Sequence, residues 1–452
     1  MLELSGDTLV VFVSDSHIGG DRGCDGFESP DELEALFAEL AGREGPVELI
    51  LAGDFFDFLQ IGEVGGGQNR ASVTIDRPEY RDLFAALKRL GEAEAKRVIY
   101  LPGNHDAESF WNEEIQETLR ERGLVDEFAY YYLATVETGT ERRVVYCEHG
   151  NQFDPENRVG DYHDSLDTPL GHHVVMDGTR RIAPYGEISP GLDLSEIKMV
   201  YPLVAIPAWI VSRYFYHWAG KVARYLLMPL LVAFAIYKVV AFLISRATNG
   251  QASLLFGSYR ELPQIHQLFL DTALFLLLLL GIFAIFFLVA RHAVRKTLRA
   301  VSPGGTPHYS PAEASQRRIR AVLDGDARAP MDPSFDPTTA DVFVSGHTHL
   351  PSLSETERPD GSKAVLVNSG CFLRQLQPIT PRPKGPPIFV SKFVLTHVRV
   401  FAKGEKLRVE LWEQPKPAQQ TLTRIERLVS IGRRPPQPPK GAKPRLVASA
   451  TL

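Results

Sequence analysis

The chain has 452 residues, with 49 Lys and Arg against 55 Asp and Glu, a formal net charge of −6 at pH 7. At 44% hydrophobic, 23% charged and 10% aromatic residues, the composition is that of a globular protein and excludes a wholly disordered, collagenous or repeat-only chain. Three scattered cysteines, Cys24, Cys147 and Cys371, are too few for a disulfide framework or a zinc ribbon and point to a reducing compartment.

The N-terminus lacks the basic start and small-residue cleavage site of an export signal. Beyond it, short β-branched runs alternate with amphipathic stretches, which predicts an α/β architecture. Strands are expected at Thr8 to Ser14, Val47 to Ala52, Arg97 to Leu101 and Arg143 to Glu148. Helices are expected at Asp31 to Ala41, Glu79 to Ala93 and Trp111 to Arg122, the first opened by Pro30 and two acids that favour a helix start. The same rhythm returns with strands at Ala340 to Ser345, Ala364 to Asn368, Lys392 to Phe401 and Lys406 to Trp412.

Between these halves, residues 196–300 read as an apolar helical insert. Residues 268–290 and 225–245 each have about the ~20 residues a bilayer span requires, although the second carries Pro229 and Lys238. Together they predict a transmembrane hairpin; two buried helices of a cap or dimer interface are the alternative. Basic residues flank its outer ends, Arg213, Lys221 and Arg224 before it and Arg291, Arg295, Lys296 and Arg299 after it. In the connecting loop Arg246 and Arg260 are balanced by Glu261 and Asp271. The positive-inside rule therefore puts both flanks, and the catalytic domain, on the cytoplasmic side. Upstream, Trp209, Tyr214, Phe215, Tyr216 and Trp218 suit a helix at the level of the lipid headgroups. The expected organisation is residues 1–195 and 301–412 as two parts of one domain, with the insert between them. Residues 413–452, rich in proline and basic residues, are expected to form a flexible tail, either solvated or touching anionic lipid or nucleic acid.

Five motifs stand at the ends of predicted strands: Asp15-Ser16-His17, Gly53-Asp54-Phe55-Phe56-Asp57, Gly103-Asn104-His105-Asp106, Glu148-His149-Gly150 and Gly346-His347-Thr348-His349. In an α/β fold, groups at the carboxyl ends of adjacent strands converge on one crevice. Carboxylate, imidazole and amide oxygen without thiolate suit Mn, Fe, Zn, Mg or Co, and the ligand count suits two cations. Asp57 reads equally as a partner of this centre or as a helix N-cap. His163, His172 and His173, with Asp154, Asn157 and Arg158 nearby, mark a candidate segment for substrate recognition, without an assigned substrate-binding residue.

This set, DxH, GDxxD, GNHD, HG and GHTH in order, resembles the calcineurin-like metallophosphoesterase family over residues 1 to about 155 and about 335 to 412. The resemblance implies a four-layer α/β/β/α sandwich, here interrupted by the helical transmembrane hairpin. It implies that Asp15, His17, Asp54 and His349 hold one metal, and Asp54, Asn104, His149 and His347 the other, with Asp54 bridging. His105 would be catalytic and Asp106 would orient it. The cofactor expected is a pair of divalent metal ions, manganese first. Two cations about 3.5–4 Å apart lower the pKa of a shared water, whose hydroxide attacks the phosphate in line.

The expected enzyme is a phosphohydrolase cleaving a phosphoester or pyrophosphate. The apolar insert tilts the substrate toward a lipid or lipid-linked phosphate at the cytoplasmic membrane face. There is a partial resemblance to the UDP-2,3-diacylglucosamine hydrolase branch, in which an arginine is expected at the place of His105. The alternatives are a membrane-anchored phosphatase or phosphodiesterase of soluble nucleotides or phosphoproteins, and a non-catalytic membrane scaffold. Partners expected are the phosphorylated substrate, membrane lipids and a second copy in a homodimer, with no specific nucleic acid.

Overall fold

The computed structural model describes the chain apart from residues 1, 22, 140, 183–185, 190–191, 248–263, 302–310, 328, 333, 359–360 and 383–384. Arg260 and Glu261 of the expected hairpin loop lie outside the described residues.

Two large sheets carry the fold. One runs in the order Leu2–Leu4, Tyr132–Thr138, Glu141–Cys147, Val342–Ser345, Lys363–Asn368, Ser352–Glu357. The other runs Arg445–Thr451, Lys406–Glu413, Ile388–Lys403, Leu9–Val13, Val47–Ala52, Lys96–Leu101, Glu127–Phe128, with Phe372–Ile379 also pairing to Ile388–Lys403. Strand periodicity of two explains how the layers join. In Leu9–Val13, Val10 and Phe12 face the other sheet and share a core with Val145, Val344 and Val367. Leu9, Val11 and Val13 face the opposite way, onto the helices that hold Leu33, Phe37, Leu87 and Ile115. On the far side of the six-stranded sheet, Tyr146 and Phe343 pack against Ile319, Val322 and Leu323 of helix Pro311–Leu323. The layering is helix, sheet, sheet, helix, as the family resemblance implied.

Most expected elements appear within two residues of their expected ends. The helix expected from Trp111 instead divides into Glu108–Trp111 and Glu113–Glu121, because the Asn112 side chain caps the second by accepting from the Glu114 N–H.

The insert differs from expectation in its first half. Ile206–Val222, Ala223–Leu227 and Met228–Ala247 run on without a break. Of the five aromatic residues expected at the level of the lipid headgroups, Trp209, Phe215 and Tyr216 are buried against the domain, while Tyr214 and Trp218 are exposed. Trp209 packs with Val200, Leu376 and Phe389, and the Tyr216 hydroxyl donates to the Pro386 carbonyl. Buried Arg213 reaches both Glu196 and Glu426. Among the described residues, Ile206–Ile244 is the one helix long and apolar enough to cross a membrane, by length and composition; Phe269–Ile285, inside helix Gln264–Val301, is a shorter apolar stretch. The charge that spoiled the first expected span is paired: Lys238 bonds Asp271 of the second helix, both buried, beside a Phe234–Phe275 stack.

The segment expected to be a flexible tail is folded. Arg445–Thr451 adds a strand to Lys406–Glu413. Thr423 and Glu426 form a reciprocal capping box that opens helix Arg424–Val429. The prolines fall outside these two elements, so composition hid a strand whose backbone pairing comes from a distant neighbour.

Candidate metal centre

Parallel registration of Leu9–Val13, Val47–Ala52 and Lys96–Leu101, and of Glu141–Cys147 with Val342–Ser345, sends the five motif-bearing turns to one edge. Asp15, His17, Asp54, His347 and His349 all have positive φ, and Ala95 is the only other non-glycine described residue that does. Such backbone is sparsely populated for side-chain-bearing residues, and its concentration here marks a site whose surroundings over-determine it. Glycine is required where the turns touch: a Cβ on Gly103 would lie 2.1 Å from Asp54 Oδ1, and one on Gly346 would lie 2.4 Å from Asp15 Oδ2.

Two carboxylates occupy the centre. Asp15 Oδ2 accepts from the Ser14 hydroxyl and, at 3.0 Å, from the His347 N–H. Its Oδ1 is buried without a hydrogen bond, 3.2 Å from His349 Nε2 and 3.9 Å from His149 Nε2. Asp54 Oδ1 accepts from the His105 N–H at 2.7 Å. Its Oδ2 lies between His149 Nε2 at 3.3 Å and His17 Nε2 at 3.8 Å. His149 Nδ1 donates to the Ala52 carbonyl at 2.8 Å, so Nε2 is the nitrogen left facing the carboxylates. That nitrogen and Asn104 Oδ1 are also buried without a hydrogen bond.

These orphaned atoms test the fit to a cation. Buried polar atoms are normally satisfied, and here a carboxylate oxygen, an amide oxygen and an imidazole nitrogen converge unpaired. His17 Nε2 and His349 Nε2 also face each other at 3.2 Å. The groups Asp15, His17, His349 and Asp54, His149, His347 each bring their ligand atoms within 4.8 Å of one another, as do His17, Asp54 and His105. The residues fit divalent cations of hard or borderline character.

The electrostatics follow from crowding. Burial opposes ionisation of Asp54, yet His149, His105 and His17 hold its carboxyl well below the usual range. Burial likewise opposes protonation of His149, but Asp54 and Asp15 raise its pKa to about 10. Bound cations would replace these protons as the source of positive charge.

His105 is placed differently from expectation. Its Nδ1 pairs with Asp57 Oδ1 at 2.9 Å, and Asp57 makes no capping bond at the turn Phe58–Gln60. Asp106, expected to orient His105, points into the core. It accepts from the Tyr100 hydroxyl at 2.6 Å and from the Phe55 and Gly103 N–H groups, each at 2.8 Å. The reason is local: Asp106 closes the Gly103 turn, and its side chain is consumed there. Burial disfavours the charged form of His105, but Asp57 and Asp54 outweigh it and raise the pKa to about 9. Against its own burial, Asp57 is held at about 2 by the same histidine and by His17.

Sequence reasoning missed Tyr201 and the contact made by Asp154. Asp154 Oδ2 lies 3.1 Å from His347 Nε2. Tyr201 stacks on His349 with ring centres 5.7 Å apart, held by its N–H to the Leu376 carbonyl. No motif flags Tyr201; only docking of the insert's root on strand Phe372–Ile379 places it. Of the candidate recognition histidines, His172 lines a small pocket beside His105, whereas His163 pairs with Tyr130 and His173 with Thr168. Cys371 is buried and its thiol donates to the Val394 carbonyl.

A cavity of about 570 Å³ opens from the centre. Its lining includes Asp54, Asn104, His105, His347 and His349 together with Leu170, Val174, Val175, Tyr201, Pro202, Leu350 and Pro378, and also the polar Lys198 and Gln377.

Buried carboxylates shared among imidazoles and an amide, beside His105 and an open cavity, form a centre that could hold divalent metal. Residues 8–178 match the family model of calcineurin-like phosphoesterases. This part of the chain is a calcineurin-like phosphoesterase domain, and the protein is a hydrolase acting on phosphoric esters. A comparison with curated proteins gives no match.

Proposed function

We propose that the protein hydrolyses a phosphoester or pyrophosphate of a lipid or lipid-linked substrate at the cytoplasmic membrane face. The observation that carries this is the cavity: its lining mixes cation-ligand side chains with apolar ones, among them Tyr201 and Pro202, just before the long apolar helix from Ile206. An apolar substrate portion against those apolar side chains would be desolvated while its phosphate meets the centre.

Asp15, His17, Asp54 and His349 are assigned to one cation and Asp54, Asn104, His149 and His347 to a second, with Asp54 shared. When bound, the cation pair supplies an acidified water and neutralises phosphate charge. His105, held through Nδ1 by Asp57, gives a proton to the leaving oxygen.

The test is manganese-dependent phosphate release by detergent-purified protein from lipid phosphates, nucleotide-linked lipids, soluble nucleotides and an aryl phosphodiester, with His105→Ala alongside. Preference for the lipid substrates, lost in the variant, is the expected result. Equal or better turnover of soluble substrates would reduce the insert to an anchor.

A further inference from the structure

The C-terminal segment lies beside the helix that leaves the catalytic domain. Ile425 and Val429 pack on a cluster containing Phe215, Tyr216 and Leu422, and a Cβ on Gly220 would lie 4.0 Å from Ile425 Cδ1. Glu426 is tied to Arg213. The other face of the segment is uncovered: Leu428 is 66% and Ile431 64% exposed. Arg424, Arg433 and Arg434 are exposed with them and have no acidic partner among the described residues.

The level of this face can be read from the helix. Gly220 is only five residues, ~7.5 Å of helical rise, before the exposed apolar run that starts at Tyr225. Around that interval Lys221 lies 5.2 Å over the Trp218 ring and Arg224 5.7 Å over the Tyr225 ring. Aromatic rings interleaved with cations at the end of an apolar helix are the composition of a membrane–water boundary. Exposed leucine and isoleucine among arginines, on a segment whose Ile425 meets the helix at Gly220, match an anionic phospholipid surface in both charge and polarity.

We propose that residues 424–434 form a second membrane contact, with Leu428 and Ile431 among the headgroups and Arg424, Arg433 and Arg434 on lipid phosphates. This rests on the membrane reading above. The contact fixes the catalytic domain against the leaflet from the side of the helix, so that the helix is not its only tether.

The native cysteines are all buried, so Ile431→Cys can carry a nitroxide on the full chain. The labelled protein is placed in nanodiscs of phosphatidylcholine alone or mixed with phosphatidylglycerol, and collision with oxygen and with a water-soluble nickel chelate is measured. Nickel accessibility is expected to fall several-fold in the anionic discs. Arg424→Glu combined with Arg433→Glu and Arg434→Glu should restore it while leaving turnover of a small aryl phosphoester unchanged. A label equally open to nickel in both discs, or insensitive to the triple change, overturns the contact. Alkaline washing of native membranes separates the two readings: release of the protein removes the membrane reading itself, whereas retention with a water-exposed label removes only the second contact.

Discussion

Asp57 and Asp106 are two carboxylates near one histidine with different fates, and the difference predicts a pH profile. His105 acts as an acid only below its pKa, which Asp57 and Asp54, against burial, raise to about 9. Asp57→Asn removes the negative partner, so the alkaline limb of kcat should move to lower pH by about one unit or more. Asp106→Asn should move that limb less, its charge being a smaller cause than that of Asp57, and should lower stability, since its carboxylate serves three buried donors. A pH–rate series on both variants decides; a limb that moves only with Asp106 would reverse the assignment. A second titration lies away from the centre. His397 is buried and accepts from Arg399 Nε at 2.9 Å, and burial together with the Arg399 charge holds its pKa well below the usual range. The unfolded chain takes up a proton there near pH ~6.5 while the folded chain does not. Stability should therefore fall as pH drops below ~6.5, by up to about 1.4 kcal/mol per unit from this group, and His397→Gln should flatten the slope. Denaturant midpoints between pH ~5 and ~7.5 measure it; an unchanged slope would show that other groups carry the acid sensitivity.

The two long apolar helices are joined by a buried ion pair, and such a pair is worth most when it is broken. Lys238→Met leaves Asp271 as an uncompensated charge and should cost about 3–5 kcal/mol of stability. Replacing both residues by leucine should recover most of that loss, because the desolvation of both charges disappears together. Thermal unfolding in detergent compares the single and double changes; losses that simply add would mean the pair is not formed.

For the whole molecule, the insert, the C-terminal segment and the catalytic domain meet at Arg213, whose side chain is buried between Glu196 and Glu426 and also reaches Thr421. Arg213→Leu strands two buried carboxylates and should cost about 3–5 kcal/mol. It should also raise amide exchange in residues 424–429 and 194–199 together. Exchange that rises in one segment alone would mean that Arg213 does not couple them. Tyr201 follows the same docked root, so the side chain stacked on His349 depends on the fold of the insert.

The sequence by itself determined the alternation of strands and helices, the motif residues at the strand ends and the apolar character of the insert. These depend on local periodicity and on residue chemistry, which any reader of the chain can count. Only the tertiary structure decided which neighbour each side chain meets. Asp106 precedes Ala107 in sequence and follows His105, yet its hydrogen bonds go to the core, while Asp57, 48 residues away, takes the imidazole. Tyr201 reached the centre through a strand pairing at Leu376, and the C-terminal strand formed because an edge of the sheet stood open to it. Such contacts join residues far apart in the chain, and their partners are set by how layers pack, which local composition does not encode.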